Sequence, residues 1–242
     1  MLEWGTLMLC GVVTLVRLPD ALHKRNRTVF SIMFLATLCS FLSVPGPYAV
    51  IDGALGGWNL TNLILRFIVF GMVFLVGLRL ARGLGAVRAR TLITGAGGRW
   101  ALAAACVVLT ATFVMMDTQG SSAGLEALPD SSARNTALAP LYAAAGRAYP
   151  AYVSAVLLPS LLAAVRARLP RLVRTGAALT GFGAVAAIAT VPASFAPDAW
   201  DGARMTVNYL AVLGYVLGLL FFWFSGRISR PPDNAPATLR EM

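Results

Sequence analysis

Seven long apolar stretches divide this sequence, each close to the length that crosses a lipid bilayer. A transmembrane helix needs about 20 mostly apolar residues, because the hydrocarbon layer is about 30 Å thick. With 58% hydrophobic residues, 12% charged residues and a mean hydropathy of +0.73, the chain has too little polar surface for a water-soluble globule. We therefore predict an all-α membrane protein, a seven-transmembrane-helix bundle with spans at about 2–18, 28–50, 59–81, 100–117, 138–165, 175–195 and 206–226.

Basic residues are concentrated in alternate connections between these stretches. Sixteen of the 20 follow the first, third, fifth and seventh stretches, as groups of four, five, four and three. The other connections carry mainly acidic residues. Because short loops rich in Lys and Arg stay in the cytoplasm, we predict an outside N-terminus and a cytoplasmic C-terminus. Residues 118–137 are expected to form a flexible outer loop, and 227–242 a short disordered cytoplasmic tail.

The net charge of +10 has two interpretations, a nucleic-acid partner or a membrane surface. The basic residues are dispersed among four connections that directly abut apolar stretches. This distribution favours a bilayer with anionic inner-leaflet lipids as the partner and no nucleic acid. Arginine outnumbers the single Lys24 heavily, and alanine is abundant, as is typical of a GC-rich bacterial genome. We therefore expect a bacterial plasma membrane.

Residues that carry common catalytic chemistry are scarce. His23 is the only histidine, which excludes paired-imidazole haem ligation and HExxH zinc sites. Cys10, Cys39 and Cys106 lie within apolar stretches and are interpreted as small buried side chains. The sequence contains no phosphate-binding Walker loop. We expect no metal, no cofactor and no recognisable enzymatic activity.

Polar residues inside the spans are the candidate binding residues. Asn59, Asn62 and Arg66 are spaced i, i+3 and i+7, which aligns them along one face of the third helix. Arg66 would lie about 10 Å inward from Asn59, where a charge is costly unless it faces protein, water or an acid. Either the three line an outward-opening polar cavity for a small solute, or Arg66 snorkels to the headgroups or pairs with Asp52 or Asp117.

Two further polar residues extend this candidate site. Arg147 lies in the fifth stretch near Pro150 and three tyrosines, in a stretch longer than one crossing needs. Either that helix is kinked at Pro150, or its first turns lie along the interface with Arg147 and the tyrosines as an aromatic-belt anchor. Asn208 on the seventh helix either completes the polar group or caps its helix.

Similar residue groups recur in the two halves of the chain. Val44-Pro45 corresponds to Val191-Pro192, Asp52-Gly53-Ala54 to Asp201-Gly202-Ala203, and a predicted helix start near Asn59 to one near Thr206. This resembles a parallel duplication of three helices around a linking fourth, a 3+1+3 plan used by some transporters. The alternative is independent capping of helices by Asp, Gly and Asn.

Small residues four apart occur on the last two helices. Gly214 with Gly218, and Ala177 with Gly181, permit close approach of helix backbones. We expect these pairs to serve packing inside the bundle rather than dimerisation.

The chain resembles an actinobacterial group of seven-helix membrane proteins of unknown function, sometimes labelled as transporters. The resemblance rests on the Arg17-Leu18-Pro19 connection, the Asn59-Leu60-Thr61-Asn62 helix start and the Ala- and Arg-rich fifth and sixth helices. Members of that group often continue into a cytoplasmic domain. The resemblance implies a multipass membrane protein and assigns no catalytic residue. We therefore hypothesise a transporter-like protein for a small solute. The alternatives are a sensor or accessory subunit signalling to a membrane or cytoplasmic partner, and a membrane enzyme of unrecognised type.

Overall fold

All secondary structure in the described residues is helical. The computed structural model describes residues 2–23, 27–118 and 132–228. The α-helices in these ranges are α1 (Leu2–Leu22), α2 (Arg27–Ser43), α3 (Pro45–Ala54), α4 (Leu60–Gly83), α5 (Val87–Thr94), α6 (Ala96–Met115), α7 (Ala133–Arg166), α8 (Arg171–Ala193) and α9 (Asp201–Ile228). Most of the predicted outer loop, 119–131, and the predicted tail from 229 onward lie outside the described residues.

Five helices are long and apolar enough to cross a membrane: α4, α6, α7, α8 and α9. The pair α2 and α3 adds a sixth if it is counted as one broken span. The first predicted span coincides with α1 but is not among the five. The structure thus supports a helical chain with five or six candidate spans, and the count of seven stays a prediction.

The second predicted span is not one straight helix. It breaks at Val44 between α2 and α3, which are bent by 86° relative to each other. Val44 has extended backbone angles, φ −78° and ψ 128°, because a following proline disfavours helical conformation at the preceding residue. Pro45 then begins α3, where its missing N–H leaves no helical hydrogen bond unmade. The stretch predicted as a span at 28–50 therefore consists of two helices at an angle, which count as at most one broken span.

The connection between the third and fourth predicted spans is partly helical. It contains α5, whose Ala89 and Ile93 are buried one helical turn apart against the bundle. Gly77 of α4 faces this helix, and an added Cβ there would lie 3.3 Å from the Ile93 side chain. Sequence analysis missed α5 because a helix of eight residues is too short to appear as an apolar stretch of membrane length.

The long helix α7 is the centre of the bundle. It packs against α4, α5, α6 and α8, while α2 joins α1 to α4 and α8 joins α7 to α9. Leu109 of α6 and Leu157 and Leu161 of α7 are fully buried in the shared core. Outside this core, α9 exposes Val212, Leu213 and Val216, as expected of a helix face covered by lipid.

The small residues of α8 and α9 act inside the bundle, as predicted. A Cβ added at Gly214 would lie 2.5 Å from the Gly183 Cα atom, so these two backbones touch. Gly218 packs in the same way against Gly176 and Thr180.

The residue groups that suggested a duplication do not occupy equivalent positions. Val44 separates two helices, whereas Val191 lies within α8. Asp52 is buried near the end of α3, whereas Asp201 begins α9 and is exposed. Because α9 begins at Asp201, the helix start predicted near Thr206 is wrong. The 3+1+3 plan therefore loses its local support and stays a prediction.

Candidate functional site

A buried polar cluster joins α3, the start of α4 and α7. Asp52, Asn59, Thr61 and Asn62 have no solvent exposure, and Arg66 is 7% exposed. The structure places Asn59, Asn62 and Arg66 in this cluster together with Asp52, and their role in ligand binding stays a prediction. Tyr48 and Tyr142 are also buried there and complete the cluster.

Asp52 caps the first turn of α4 from a different helix. Its two carboxylate oxygens accept hydrogen bonds from the backbone N–H groups of Asn59 and Thr61, each at 3.2 Å. A helix N-terminus has unsatisfied N–H groups and a partial positive charge, so a carboxylate stabilises it. The Asp52 side chain thus takes over the capping role, since Asn59 makes no side-chain cap.

Asn59 connects three parts of the chain. Its backbone is left-handed, with φ 55°, a conformation that asparagine tolerates better than most residues. Tyr48 Oη donates to Asn59 Oδ1 at 2.8 Å, and Asn59 Nδ2 donates to the Thr118 carbonyl at 3.1 Å. The Asn135 amide pairs with both backbone groups of Asp117, at 2.8 Å and 2.6 Å, and so positions this carbonyl.

Arg66 is held between α4 and α7. Its Nε donates to Asn62 Oδ1 at 3.2 Å, and the Tyr142 hydroxyl donates to the same oxygen at 2.8 Å. The guanidinium carbon lies 4.2 Å from the centre of the Tyr142 ring, within cation–π range. Gly146 provides the space, because a Cβ at that position would overlap the guanidinium group.

These contacts bear on two of the interpretations of Arg66. A snorkelling arginine would expose its guanidinium at the membrane surface, whereas this side chain is enclosed by protein. The snorkelling interpretation is therefore wrong. In the described part of the chain, Asn59, Asn62 and Arg66 are buried and do not line an outward-open surface.

The structure separates the other three candidate residues from this cluster. Asp117 has an exposed side chain and contributes only backbone groups, to Asn135. Arg147 is half-buried and donates to Ser194 Oγ at the end of α8, at 2.7 Å. Asn208 lies on α9, which packs against α8 and not against α4. These contacts give no support for their membership of the polar group, which stays a prediction.

Of the two alternatives for Arg147, the interfacial anchor loses support, and a kink at Pro150 stays a prediction. The helix α7 continues through Pro140, Pro150 and Pro159 as one element. Tyr142 and Tyr149 are 2% and 1% exposed, so they are core residues rather than interfacial anchors.

Sequence reasoning missed Tyr48, Tyr142 and Gly146 as parts of the site. Tyr48 follows the Pro45-Gly46-Pro47 break, which brings it back over α4 and could have marked it. Tyr142 and Gly146 are four residues apart, so they lie on the same face of α7. That spacing alone did not connect them with Arg66, because the facing helix could not be read from the sequence.

Within the described part of the chain, no group of three or more His, Cys, Asp or Glu side chains could hold a metal ion. The buried cluster offers hydrogen-bonding groups, the Arg66 guanidinium and the Asp52 carboxylate. No family model, curated protein or solved structure matches this chain.

Proposed function

We propose that this chain is a multipass membrane protein that binds a small polar solute at the buried cluster and transports it. The observation that carries the proposal is a buried arginine inside apolar helices. Arg66 is enclosed by Asn62, Tyr142 and Gly146. Ionisable residues inside membrane helices are expensive, so they mark substrate paths by default.

The Thr61 hydroxyl supports a ligand at this cluster. Its oxygen is fully buried and has no hydrogen-bond partner among the described residues. Leaving a buried hydroxyl unsatisfied costs about 1–3 kcal/mol. A solute oxygen or a water molecule at the cluster would remove that cost.

The break between α2 and α3 supports transport over simple binding. Transporters bind solutes near interrupted helices, whose ends supply polar backbone groups inside the membrane. Here the 86° bend brings Tyr48 and Asp52 onto the start of α4. Movement of α3 about Pro45 and the glycines Gly56 and Gly57 would open the cluster.

Flux measurements in liposomes test the proposal. Purified protein is reconstituted, and uptake of radiolabelled acetate, succinate, glutamate and inorganic phosphate is measured. We expect uptake of at least one probe, lost in Arg66→Leu and partly kept in Arg66→Lys, because an ammonium group cannot reproduce the planar guanidinium. Arg147→Lys is the matched control outside the cluster and should transport normally.

The alternative function gives a different result in the same experiment. Binding of a probe without flux would overturn transport and favour a sensor that signals to a partner through the basic connections. Neither binding nor flux of any probe would overturn the role of Arg66 as an anchor for small anionic solutes.

A further inference from the structure

We propose that α5 and the start of α6 form a binding site for the headgroup of an acidic phospholipid. The site comprises Arg88, Arg90, Arg99 and Trp100, all exposed. It lies outside the buried cluster, so it does not depend on the proposed function.

The charge of this region carries the first step. Between Asp52 and Asp117 the sequence contains six arginines and not one Asp or Glu. Arg88 and Arg90 lie on the two flanks of α5, one on each side of the buried Ala89. Arginine presents a planar fork of donors that matches phosphate oxygens. No acid nearby in sequence competes for these donors.

Exposed apolar side chains in the same region favour a lipid over a soluble anion. Val87 is 75% exposed, Leu92 is 42% exposed and Trp100 is 75% exposed. A phospholipid offers both a charged phosphate and acyl chains, and indole rings prefer the boundary between them. A soluble anion would use the arginines but would leave these apolar side chains in water.

The rigid attachment of α5 carries the third step. Ile93 is 1% exposed, and the Tyr152 hydroxyl donates to the Leu92 carbonyl at 2.9 Å. Gly98 allows α6 to start directly against α5, because a Cβ there would overlap the Ile93 carbonyl oxygen. The arginines are thus presented by a fixed backbone, which lowers the ordering cost of binding.

Lipid titration in detergent tests the site. Binding of dioctanoyl phosphatidylglycerol and dioctanoyl phosphatidylcholine is measured on wild type and on Arg88→Gln/Arg90→Gln. We expect wild type to prefer phosphatidylglycerol. Each arginine near an anionic lipid contributes about fivefold, so the double variant should lose about 30-fold in affinity.

The matched control removes two exposed arginines from another basic connection. Arg166→Gln/Arg168→Gln makes the same charge change at the end of α7, on the membrane side predicted for α5 as well. We expect its affinity to stay within about threefold of wild type. Equal losses in both double variants, or no preference for phosphatidylglycerol, would overturn the site.

A second measurement does not depend on the arginine variants. Phosphatidylglycerol with brominated acyl chains should quench tryptophan fluorescence more than brominated phosphatidylcholine, and Trp100→Phe should remove the difference. Equal quenching by the two lipids in wild type would contradict the proposal even if the double variant failed to fold.

Discussion

The guanidinium carbon of Arg66 lies 4.2 Å from the centre of the Tyr142 ring, and both side chains donate to the same oxygen of Asn62. Tyr142 therefore acts on Arg66 in two ways, through its ring and through the shared acceptor. A desolvated cation–π contact contributes about 2 kcal/mol, and a neutral hydrogen bond contributes about 1 kcal/mol. The two contributions can be separated by substitution.

Tyr142→Phe keeps the ring beneath Arg66 and removes only the hydroxyl. We expect a loss of about 1 kcal/mol, because Asn62 Oδ1 still accepts from Arg66 Nε. Tyr142→Leu also removes the ring and should cost at least about 2 kcal/mol more. Thermal unfolding in detergent measures both. Equal losses in the two variants would show that the ring contributes nothing.

Gly146→Ala should destabilise the protein through its contact with Arg66. The added Cβ would overlap the guanidinium group, and overpacking of this kind costs about 1–3 kcal/mol. Gly181→Ala on α8 is the matched control, because a Cβ there meets Leu161 at an ordinary 3.9 Å. The control should be neutral or gain about 0.5–1 kcal/mol from helix propensity.

A double variant shows whether the cost at Gly146 comes from Arg66. Arg66→Leu in the Gly146→Ala background removes the group that the new methyl overlaps, so the two effects should be strongly non-additive. Additive losses of stability would show that the cost of Gly146→Ala does not come from overlap with Arg66.

Asp52→Ala should destabilise the start of α4 more than Asp52→Asn does. Alanine removes both acceptors for the Asn59 and Thr61 N–H groups, whereas asparagine keeps one. Each N–H left buried without a partner costs about 1–3 kcal/mol. Thermal unfolding in detergent should therefore rank wild type above Asp52→Asn, and Asp52→Asn above Asp52→Ala.

Asp201→Asn is the control for the capping role. Asp201 also stands at the start of a helix, but its side chain is 66% exposed and pairs with Arg204. Exposed ion pairs contribute about 0–1 kcal/mol, so this variant should change stability little. A larger effect at Asp201 than at Asp52 would contradict the assigned role of Asp52.

The helical character of the chain and the Asn59–Asn62–Arg66 grouping could be predicted because both depend on local spacing. Apolar stretches of bilayer length predict helices, and the i, i+3, i+7 pattern fixes one face of α4. The partners of that face could not be predicted. Tyr142 and Gly146 reach Arg66 only because α4 and α7 are neighbours, which is a property of the assembled bundle.

The positions of Arg147 and Asn208 also depend on the assembled bundle. Arg147 and Asn208 satisfied the same criterion as Arg66, a polar residue inside an apolar stretch, yet tertiary packing puts them on other contacts. The bend at Val44 was in principle readable from the Pro45-Gly46-Pro47 sequence, which restricts the backbone locally. The residues around this bend are mostly apolar, and hydropathy does not distinguish one straight helix from two helices at an angle.

Cysteine labelling tests the predicted orientation in the membrane. In a background without Cys10, Cys39 and Cys106, a cysteine at Ser121 should react with a membrane-impermeant maleimide in intact cells. Ser121 belongs to an acidic connection predicted to lie outside. A cysteine at Thr91 should not react, because α5 belongs to a basic connection.

Thr91 is the suitable inner position because it is exposed, whereas the neighbouring Ala89 is 3% exposed and would resist labelling from either side. Permeabilised cells provide the control, since the Thr91 cysteine should become reactive once the reagent enters. Labelling of Thr91 in intact cells would reverse the charge argument. It would also move the proposed phospholipid site on α5 to the opposite leaflet.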